Sequence, residues 1–541
     1  MTSAPAGLTD RLRNARRLEL AGLFGLLVLA ALLRLPGLEA RGTWDADQGH
    51  DMLVLRTFVR DGVIPLLGPP TSIGDFHHGA LYYYLLAPAA ALTGGDAPLA
   101  VTLAIALAGI GAVAVTWWLA RSIAGPLSGL VAGLAIAISA AAVDESTFIW
   151  NPNLIALSSA VALAGAWRAW TTGRPRWWLV AAVGTTVTMQ CHVLGVTLLP
   201  IIAALLVADV RRRGDPVARR DVVRVGVAGL AIVVLAYVPL AINEVTTDFS
   251  EARAALEYLA GGRDGAAAAL PVRFGVVILR VVSWPLVGLI TDGFAAGVLG
   301  LAGIVAIVAW RWRARSARER IAVRWLGLGL LWSALFLTVA APSLATVIVG
   351  LPNDHYHAFA DPMVFVLVGI GAAALARTRP AGPPVLIVTL VALLIWNVAN
   401  QPPSVHPDGG FPAAAAAAER IDATLERAGI GADQPVRLRS LPGFKSTEAY
   451  AYPLIRGGRS VVAETPIGVA PGSVDPTEVA DAGLVLICDR LFEPAMGVAC
   501  GGAAEAAVTP DRGGSTWGPL LDRFEAAPGR IISVYAAAAR D

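Results

Sequence analysis

Blocks of about twenty consecutive apolar residues recur along this chain, and they constrain its fold more than any other feature. An α-helix needs about twenty such residues to cross the hydrocarbon core of a bilayer. Of the 541 residues, 56% are hydrophobic and only 15% are charged, and the mean hydropathy is +0.64. A soluble protein of this length needs more charge on its surface. The sequence therefore predicts a polytopic membrane protein that is mostly α-helical.

The positions of the apolar blocks predict eleven membrane spans, at 20–38, 98–120, 127–143, 154–170, 176–191, 193–209, 223–241, 293–310, 325–341, 359–376 and 384–400. The first run follows Arg11, Arg13, Arg16 and Arg17 and lacks a good small-residue cleavage site. We interpret it as a retained span with the amino terminus in the cytoplasm. A net charge of +2 gives no indication of a nucleic-acid partner.

Arginine placement sets the orientation of these spans, because short cytoplasmic loops are enriched in basic residues. The apolar segment 79–93 is short. If it lies at the membrane surface, all the arginine-rich short loops fall on the cytoplasmic side; if it crosses, they fall outside. We therefore predict an interfacial helix at 79–93 and a carboxyl terminus outside the cytoplasm, in a multi-pass protein of the bacterial cell (inner) membrane.

Residues 401–541 are richer in Pro, Gly and charge than the first 400 residues. The sequence predicts a helix at 413–427 and short strands at 436–441, 460–463, 483–488 and 531–535. This pattern indicates a transmembrane module at 1–400 followed by a small extracytoplasmic α/β domain at 401–541. Cys488 and Cys500 lie in this domain, and whether they form a disulfide stays open at this point.

The predicted outer loops are rich in Asp and His, which are costly near a bilayer and commonly functional there. Six of the seven histidines fall in these loops, although only arginine was used to set the topology. We therefore predict a site at the outer membrane face. Its polar residues are Asp45, Asp47, His50, Asp51, His77, His78, Asp144, Glu145, Asn151, Asn153, His192, Glu244, Asp248, His355, Tyr356 and His357.

The first outer loop carries the densest part of this set. If it is helical, Asp47 and Asp51 share one face at i, i+4 spacing. Such carboxylates can act as a general base toward an acceptor hydroxyl or bind a divalent cation, with His78 as a third candidate ligand. Nothing in the sequence requires a cofactor, and the cation stays an open option. A structural role competes with both, since Asp45 can cap the helix and the others can face solvent.

The order of motifs resembles the glycosyltransferase family 39 branch of the GT-C superfamily, which includes protein mannosyltransferases and the lipid A aminoarabinose transferase. The resemblance covers about residues 1–400 and is most specific over 44–88. It rests on one basic-flanked span, then DQGHD at 47–51, LLGPPTSIGDFHHGALYYYLLAP at 66–88 and WNPN at 150–153. The family motif is usually Asp-Glu, and here Gln48 stands in place of the Glu.

The resemblance implies an inverting transfer of a sugar from a polyprenyl-phosphate donor to an extracytoplasmic polysaccharide, lipid or protein, with Asp47 as general base. Asp51, Asp144 and Glu145 are candidates for the missing second acid. The candidates for stabilising the donor phosphate are Arg41, Arg56, His77, His78, His355 and His357. The candidate substrate-binding residues are Arg41, Trp44, Gln48, His77, His78, Tyr82, Asn151, Glu244, His355, Tyr356 and His357.

Two other functions compete with this interpretation. A lipid-linked sugar transporter or flippase usually needs ionisable residues at mid-membrane, and almost none are present here. A non-catalytic scaffold for envelope assembly is the second alternative, with the carboxyl-terminal domain as its binding part.

Overall fold

A computed structural model describes residues 6–71, 76–260, 268–347, 353–443, 447–465, 468–475, 481–490, 493, 500–508 and 517–537. Part of the sequence motif at 66–88, namely 72–75, lies outside these residues. The first 400 residues form a helical bundle. Its helices are α1 (Ala6–Arg34), α2 (Leu38–Arg41), α3 (Ala46–Asp61), α4 (Leu81–Ala91), α5 (Pro98–Ala124), α6 (Pro126–Ile138), α7 (Ala140–Asp144), α8 (Ile155–Thr172), α9 (Trp177–Cys191), α10 (Leu198–Arg212), α11 (Pro216–Ala236), α12 (Val238–Thr246), α13 (Ser250–Ala260), α14 (Leu270–Val287), α15 (Phe294–Arg311), α16 (Ala317–Ala340), α17 (Asp361–Ala376) and α18 (Gly382–Ala399).

Shorter elements complete this bundle. A two-stranded antiparallel hairpin, β1 (Leu67–Pro70) and β2 (His77–Gly79), lies in the first loop. In the part of the chain that the structure describes, four 3-10 helices precede or follow the long helices, at Asn151–Leu154, Val193–Thr197, Pro342–Ala345 and Asp354–Ala360. These elements interrupt the helices on the face where most of the predicted polar residues lie.

Within the described residues, eight helices are long and apolar enough to cross a membrane, and nine if the pair α11 and α12, bent by 41°, counts as one span. The predicted number of eleven is therefore not confirmed. Two of the predicted spans correspond to shorter helices, since α6 has 13 residues and α9 has 15. Helix α4, which lies within the predicted interfacial segment 79–93, has 11 residues. These are too few to cross a hydrocarbon core of about 30 Å at 1.5 Å per residue.

Helix α14 was not predicted, and its contacts show how it lies in the bundle. Near its start, the Arg273 guanidinium donates to the carbonyl of Thr338, at the end of α16. At its end, the Val287 carbonyl accepts a hydrogen bond from Trp396, near the end of α18. Helix α14 therefore contacts the carboxyl-terminal ends of both α16 and α18, and its length and composition suit a span.

The carboxyl-terminal domain has the expected α/β organisation. Its elements are α19 (Gly410–Arg427), α20 (Thr447–Arg456), α21 (Ala503–Val508), β3 (Val436–Leu441), β4 (Val461–Thr465), β5 (Gly468–Val469), β6 (Gly483–Asp489), β7 (Leu520–Ala527) and β8 (Arg530–Ala536). The six-stranded sheet has the order β5-β4-β3-β6-β8-β7, with β3 parallel to β4 and β6 and the other pairs antiparallel. The four predicted strands and the predicted helix are present, whereas α20, α21, β5 and β7 were not predicted. Cys488 and Cys500 form a disulfide.

This domain packs directly on the first loop through α20 and α3. A Cβ added at Gly49 would lie 2.1 Å from the carbonyl oxygen of Glu448, so the two backbones touch at a position that only glycine allows. The Trp44 indole donates to the Ala449 carbonyl at 2.8 Å. The Tyr452 hydroxyl donates to the Gly95 carbonyl at 2.9 Å. The two parts of the chain therefore meet at the DQGHD segment, residues 47–51, here called the acidic motif.

Candidate functional site

The acidic motif opens α3, and a capping box closes its first turn. The Asp45 side chain accepts from the Gln48 backbone, while the Gln48 side-chain oxygen accepts from the Asp45 N–H at 2.9 Å. The Gln48 amide also donates to the Ile149 carbonyl at 2.9 Å. Asp45 pairs with Arg530 of the carboxyl-terminal domain at 3.4 Å. Gln48 thus fixes the helix start and joins it to the second loop instead of facing substrate.

Asp51 is buried, and both of its oxygens accept hydrogen bonds from α4. The Tyr82 hydroxyl donates at 2.7 Å and the Tyr83 hydroxyl at 2.8 Å. Burial raises the pKa of Asp51 to about 7, although the His50 charge and the tyrosine hydrogen bonds favour the ionised form. Tyr82 is fully buried as well. The hydrogen bonds of Asp51 therefore join α3 to α4, and the catalytic role of Asp51 and the binding role of Tyr82 stay predictions.

Asp47 differs from these neighbouring acids. Its side chain is exposed at the first turn of α3. It makes no hydrogen bond or ion pair with any residue that the structure describes. Its nearest functional neighbour along the helix is His50, at i+3, which places both side chains on one face. Asp47 is thus the acid of this motif that is available to a substrate.

His50 is held by an acid that the sequence analysis did not identify. Its Nδ1 atom lies 2.7 Å from Glu448 Oε1 of α20, and both side chains are largely buried. Burial lowers the pKa of His50, but the Glu448 carboxylate, helped by Asp51 and Asp47, raises it overall to about 9. No sequence signal links two residues 398 positions apart.

The paired histidines of the hairpin point to different partners. The His77 N–H and Nδ1 contact the Glu251 carboxylate of α13 at 2.7 and 2.9 Å. His78 is buried, and its Nδ1 accepts from the Val193 N–H at 3.2 Å. Burial, together with the neighbouring imidazoles, lowers the pKa of His78 well below its usual value.

An aromatic and imidazole cluster joins the first, second, third and fifth outer loops. Ring centroids of His78 and His192 are 4.7 Å apart, and those of His192 and His355 are 5.5 Å apart. His355 also contacts Trp150 at 4.2 Å and Tyr356 at 4.6 Å. The structure thus brings together His78, His192, His355 and Tyr356 of the predicted outer-face set, and it adds Trp150 to them.

A buried ionic network supports the 3-10 helix at Asp354–Ala360, here called the late segment. The Arg280 guanidinium of α14 donates to both Asp354 oxygens, at 2.9 and 2.6 Å. His357 lies 3.0 Å from Asp354 and is fully buried. His357 therefore stabilises this network and is not open to substrate. The sequence signal for Arg280 was an arginine inside an apolar run, which calls for a buried partner.

The second-loop acids lie at the edge of this network. The Trp284 indole donates to Glu145 at 2.9 Å. Burial, followed by repulsion from Asp361, raises the pKa of Glu145 well above its usual value. Burial also raises the pKa of Asp144, against the charge of Arg41. Both acids are less exposed than Asp47. Their part in catalysis stays a prediction.

Four predicted binding residues form hydrogen bonds with other residues of the protein. Trp44 is buried against the carboxyl-terminal domain, and with Gln48 it lines a cavity of about 170 Å³ that Asp47 does not line. The other three are Arg41, buried and hydrogen-bonded to the Pro36 carbonyl; Asn151, buried and hydrogen-bonded to the Cys191 carbonyl; and Glu244, which accepts from the Ala252 N–H. Arg56 is likewise paired, with Asp96 at 2.9 Å.

The described part of the chain contains no group of three or more His, Cys, Asp or Glu side chains arranged to hold a metal ion. Asp47, Asp51 and His78 in particular do not form such a group. The two oxygens of Asp51 face tyrosine hydroxyls, and His78 lies in the imidazole cluster.

Comparisons with known proteins identify the fold. The family model for dolichyl-phosphate-mannose-protein mannosyltransferase matches residues 77–239. ArnT from Cupriavidus metallidurans in the apo state gives a TM-score of 0.59 at 13% identity, covering 96% of this chain and 98% of that chain. These findings show that the chain has the fold of the GT-C glycosyltransferases. The GT-C resemblance, the mostly helical membrane fold and the small carboxyl-terminal sheet are thereby confirmed.

Two further structures share the GT-C fold with this chain. ArnT from Cupriavidus metallidurans bound to undecaprenyl phosphate gives a TM-score of 0.55 at 14% identity, covering 95% of this chain and 97% of that chain. The Archaeoglobus fulgidus oligosaccharyltransferase in complex with Zn and sulfate gives 0.53 at 15% identity, covering 95% and 73%. No curated protein sequence matches the chain.

Proposed function

We propose that this protein transfers a sugar from a polyprenyl-phosphate donor to an extracytoplasmic acceptor, with Asp47 as general base. The observation that carries the proposal is the separation of roles in α3. Asp45 caps the helix, Asp51 accepts from two tyrosines, and Asp47 alone of the three is exposed with no described partner. The ArnT structure bound to undecaprenyl phosphate supports a polyprenyl phosphate as the lipid part of the donor.

The proposed step is a single displacement at the anomeric carbon. Asp47 accepts the proton of the acceptor hydroxyl as its oxygen bonds to that carbon. The bond from the anomeric carbon to the phosphate oxygen breaks, and its electron pair stays on that oxygen. Polyprenyl phosphate leaves, and the anomeric configuration inverts. Because phosphate is a good leaving group, the step needs charge stabilisation more than a strong acid.

The orientation of the protein follows from the same proposal. The acidic motif, the late segment and the carboxyl-terminal domain lie on one face of the helical module. We place this face outside the cytoplasm, in the bacterial cell membrane, because the arginine-rich short loops lie at the opposite ends of the helices. The Cys488–Cys500 disulfide supports an oxidising surrounding for the domain.

The test uses purified protein in proteoliposomes with a panel of undecaprenyl-phosphate-linked pentoses and hexoses, and an envelope extract as acceptor source. We expect release of undecaprenyl phosphate from at least one donor and a product with inverted anomeric configuration. Movement of the donor across the bilayer without release of undecaprenyl phosphate would favour a flippase instead. If no donor gives either release or movement, the result would favour a scaffold.

A further inference from the structure

The carboxyl-terminal domain places a carboxylate against the acidic motif, at the position where α20 begins. Glu448 is in the first turn of α20, and Gly49 of α3 packs against the Glu448 backbone with no room for a side chain. This close approach fixes the Glu448 side chain beside His50, at 2.7 Å from Nδ1. A carboxylate at Nδ1 fixes both the ring orientation and the position of the proton, leaving Nε2 as the other donor.

The charges around His50 come from two elements. Glu448 faces it from α20, and Asp47 and Asp51 lie on α3. Glu448 makes the direct contact with the imidazole. Asp51 is already bonded to two tyrosines. The arrangement is therefore a Glu–His pair that stands one helical turn from the exposed Asp47.

A polyprenyl-phosphate donor needs a cation within reach of its phosphate, because the phosphate gains negative charge as its bond to the sugar breaks. Three arginines of this face also pair with carboxylates, Arg56 with Asp96, Arg280 with Asp354 and Arg530 with Asp489, and none of them follows Asp47 within one turn of α3. His78 is buried among other imidazoles. His50 is the cationic group that α3 itself places next to Asp47.

We propose that Glu448 is a positioning residue of the active site, which holds His50 as an oriented imidazolium beside Asp47 to stabilise the leaving phosphate. The carboxyl-terminal domain then completes the catalytic site in addition to covering it. Glu448 also supplies, from the far end of the chain, an acid to a motif in which Gln48 replaces the usual Glu. This inference rests on the proposed function.

The experiment compares the full-length wild type with Glu448→Gln and, as a matched control, Tyr452→Phe. Glutamine keeps a hydrogen-bond acceptor for His50 but removes the charge. The control removes a hydrogen bond between the same two parts of the chain, from Tyr452 to Gly95, without changing charge. Release of undecaprenyl phosphate is measured from pH 6 to 10, and the His50 titration is followed by NMR of histidine-labelled protein, with His50→Gln for assignment.

We expect the wild type to lose activity as pH rises through about 9, where His50 deprotonates. In Glu448→Gln this limb moves to the ordinary histidine value near 6.5 or lower, so activity at pH 8 falls by about 30-fold. The NMR titration of His50 moves in parallel, and Tyr452→Phe changes neither. The structural alternative, in which Glu448 only holds the domain, predicts equal effects of the two substitutions.

The outcomes separate this inference from the proposed function. An active wild type whose alkaline limb and His50 titration are unchanged by Glu448→Gln overturns the inference and leaves the proposed function standing. A shifted His50 titration with an unchanged activity profile also overturns it, because the imidazolium then has no part in transfer. A wild type that releases no undecaprenyl phosphate from any donor overturns the proposed function, and with it this inference.

Discussion

The three acids of α3 show how surroundings give one residue type different tasks. Asp45 meets the helix start and Arg530, Asp51 meets two tyrosine hydroxyls, and Asp47 meets solvent. Sequence spacing placed Asp47 and Asp51 on one face as equivalent candidates. The tyrosines and Arg530 separate them, and these partners arrive only through the tertiary fold.

Burial of Asp51 predicts a specific pH dependence of stability. Its pKa in the folded protein is about 7, raised from 3.8. A raised carboxyl pKa contributes stability that is complete below the unfolded value and is lost as pH rises through 7, at up to about 1.4 kcal/mol per pH unit. We expect the wild type to lose thermal stability between pH 4 and pH 7, and Asp51→Asn to lose less. Asp47→Asn is the exposed control and should keep the wild-type dependence; identical curves for wild type and Asp51→Asn would contradict this account.

At the scale of elements, the contact between α3 and α20 joins the two parts of the chain. It depends on a glycine in the middle of the acidic motif, because a side chain at Gly49 meets backbone atoms of Glu448 and Ala449 that belong to a helix. Helix α3 is therefore positioned by the carboxyl-terminal domain as well as by α4.

Substitution of this glycine tests the contact. We expect Gly49→Ala to lower the free energy of unfolding by about 1–3 kcal/mol, the usual effect of an added methyl group in a packed region. The control is Gly303→Ala in α15, which has open space around the added Cβ and should stay close to wild type. Thermal unfolding and limited proteolysis of the carboxyl-terminal domain measure the effect, and equal behaviour of the two variants would argue against the close contact.

At the scale of the whole molecule, apolar blocks and arginine placement were sufficient to predict a polytopic helical module followed by a small α/β domain. The strands Val436–Leu441 and Gly483–Asp489 matched closely, because each is a short β-prone run between turn residues. Helix α14 was missed because Arg273 and Arg280 interrupt its apolar run. Glu448 and Glu251 were missed because each acts on a histidine more than 170 positions away.

The predicted orientation is open to a direct labelling test. Gly214→Cys lies in an arginine-rich loop and Glu426→Cys lies on α19, and both positions are exposed. In spheroplasts, we expect a membrane-impermeant maleimide to label Glu426→Cys at once and Gly214→Cys only after permeabilisation. Labelling of both from the outside, or the reverse pattern, would show that the predicted topology is inverted or incomplete.

The central claim is that Asp47 is the base for sugar transfer, and one comparison tests it most directly. Release of undecaprenyl phosphate from the accepted donor is measured for wild type, Asp47→Asn and Asp51→Asn at equal folded protein. Loss of a general base typically lowers the rate by about 10²–10⁴-fold. We predict such a loss for Asp47→Asn with an unchanged melting temperature, and a smaller loss of activity with altered stability for Asp51→Asn. Full activity in Asp47→Asn would contradict the account.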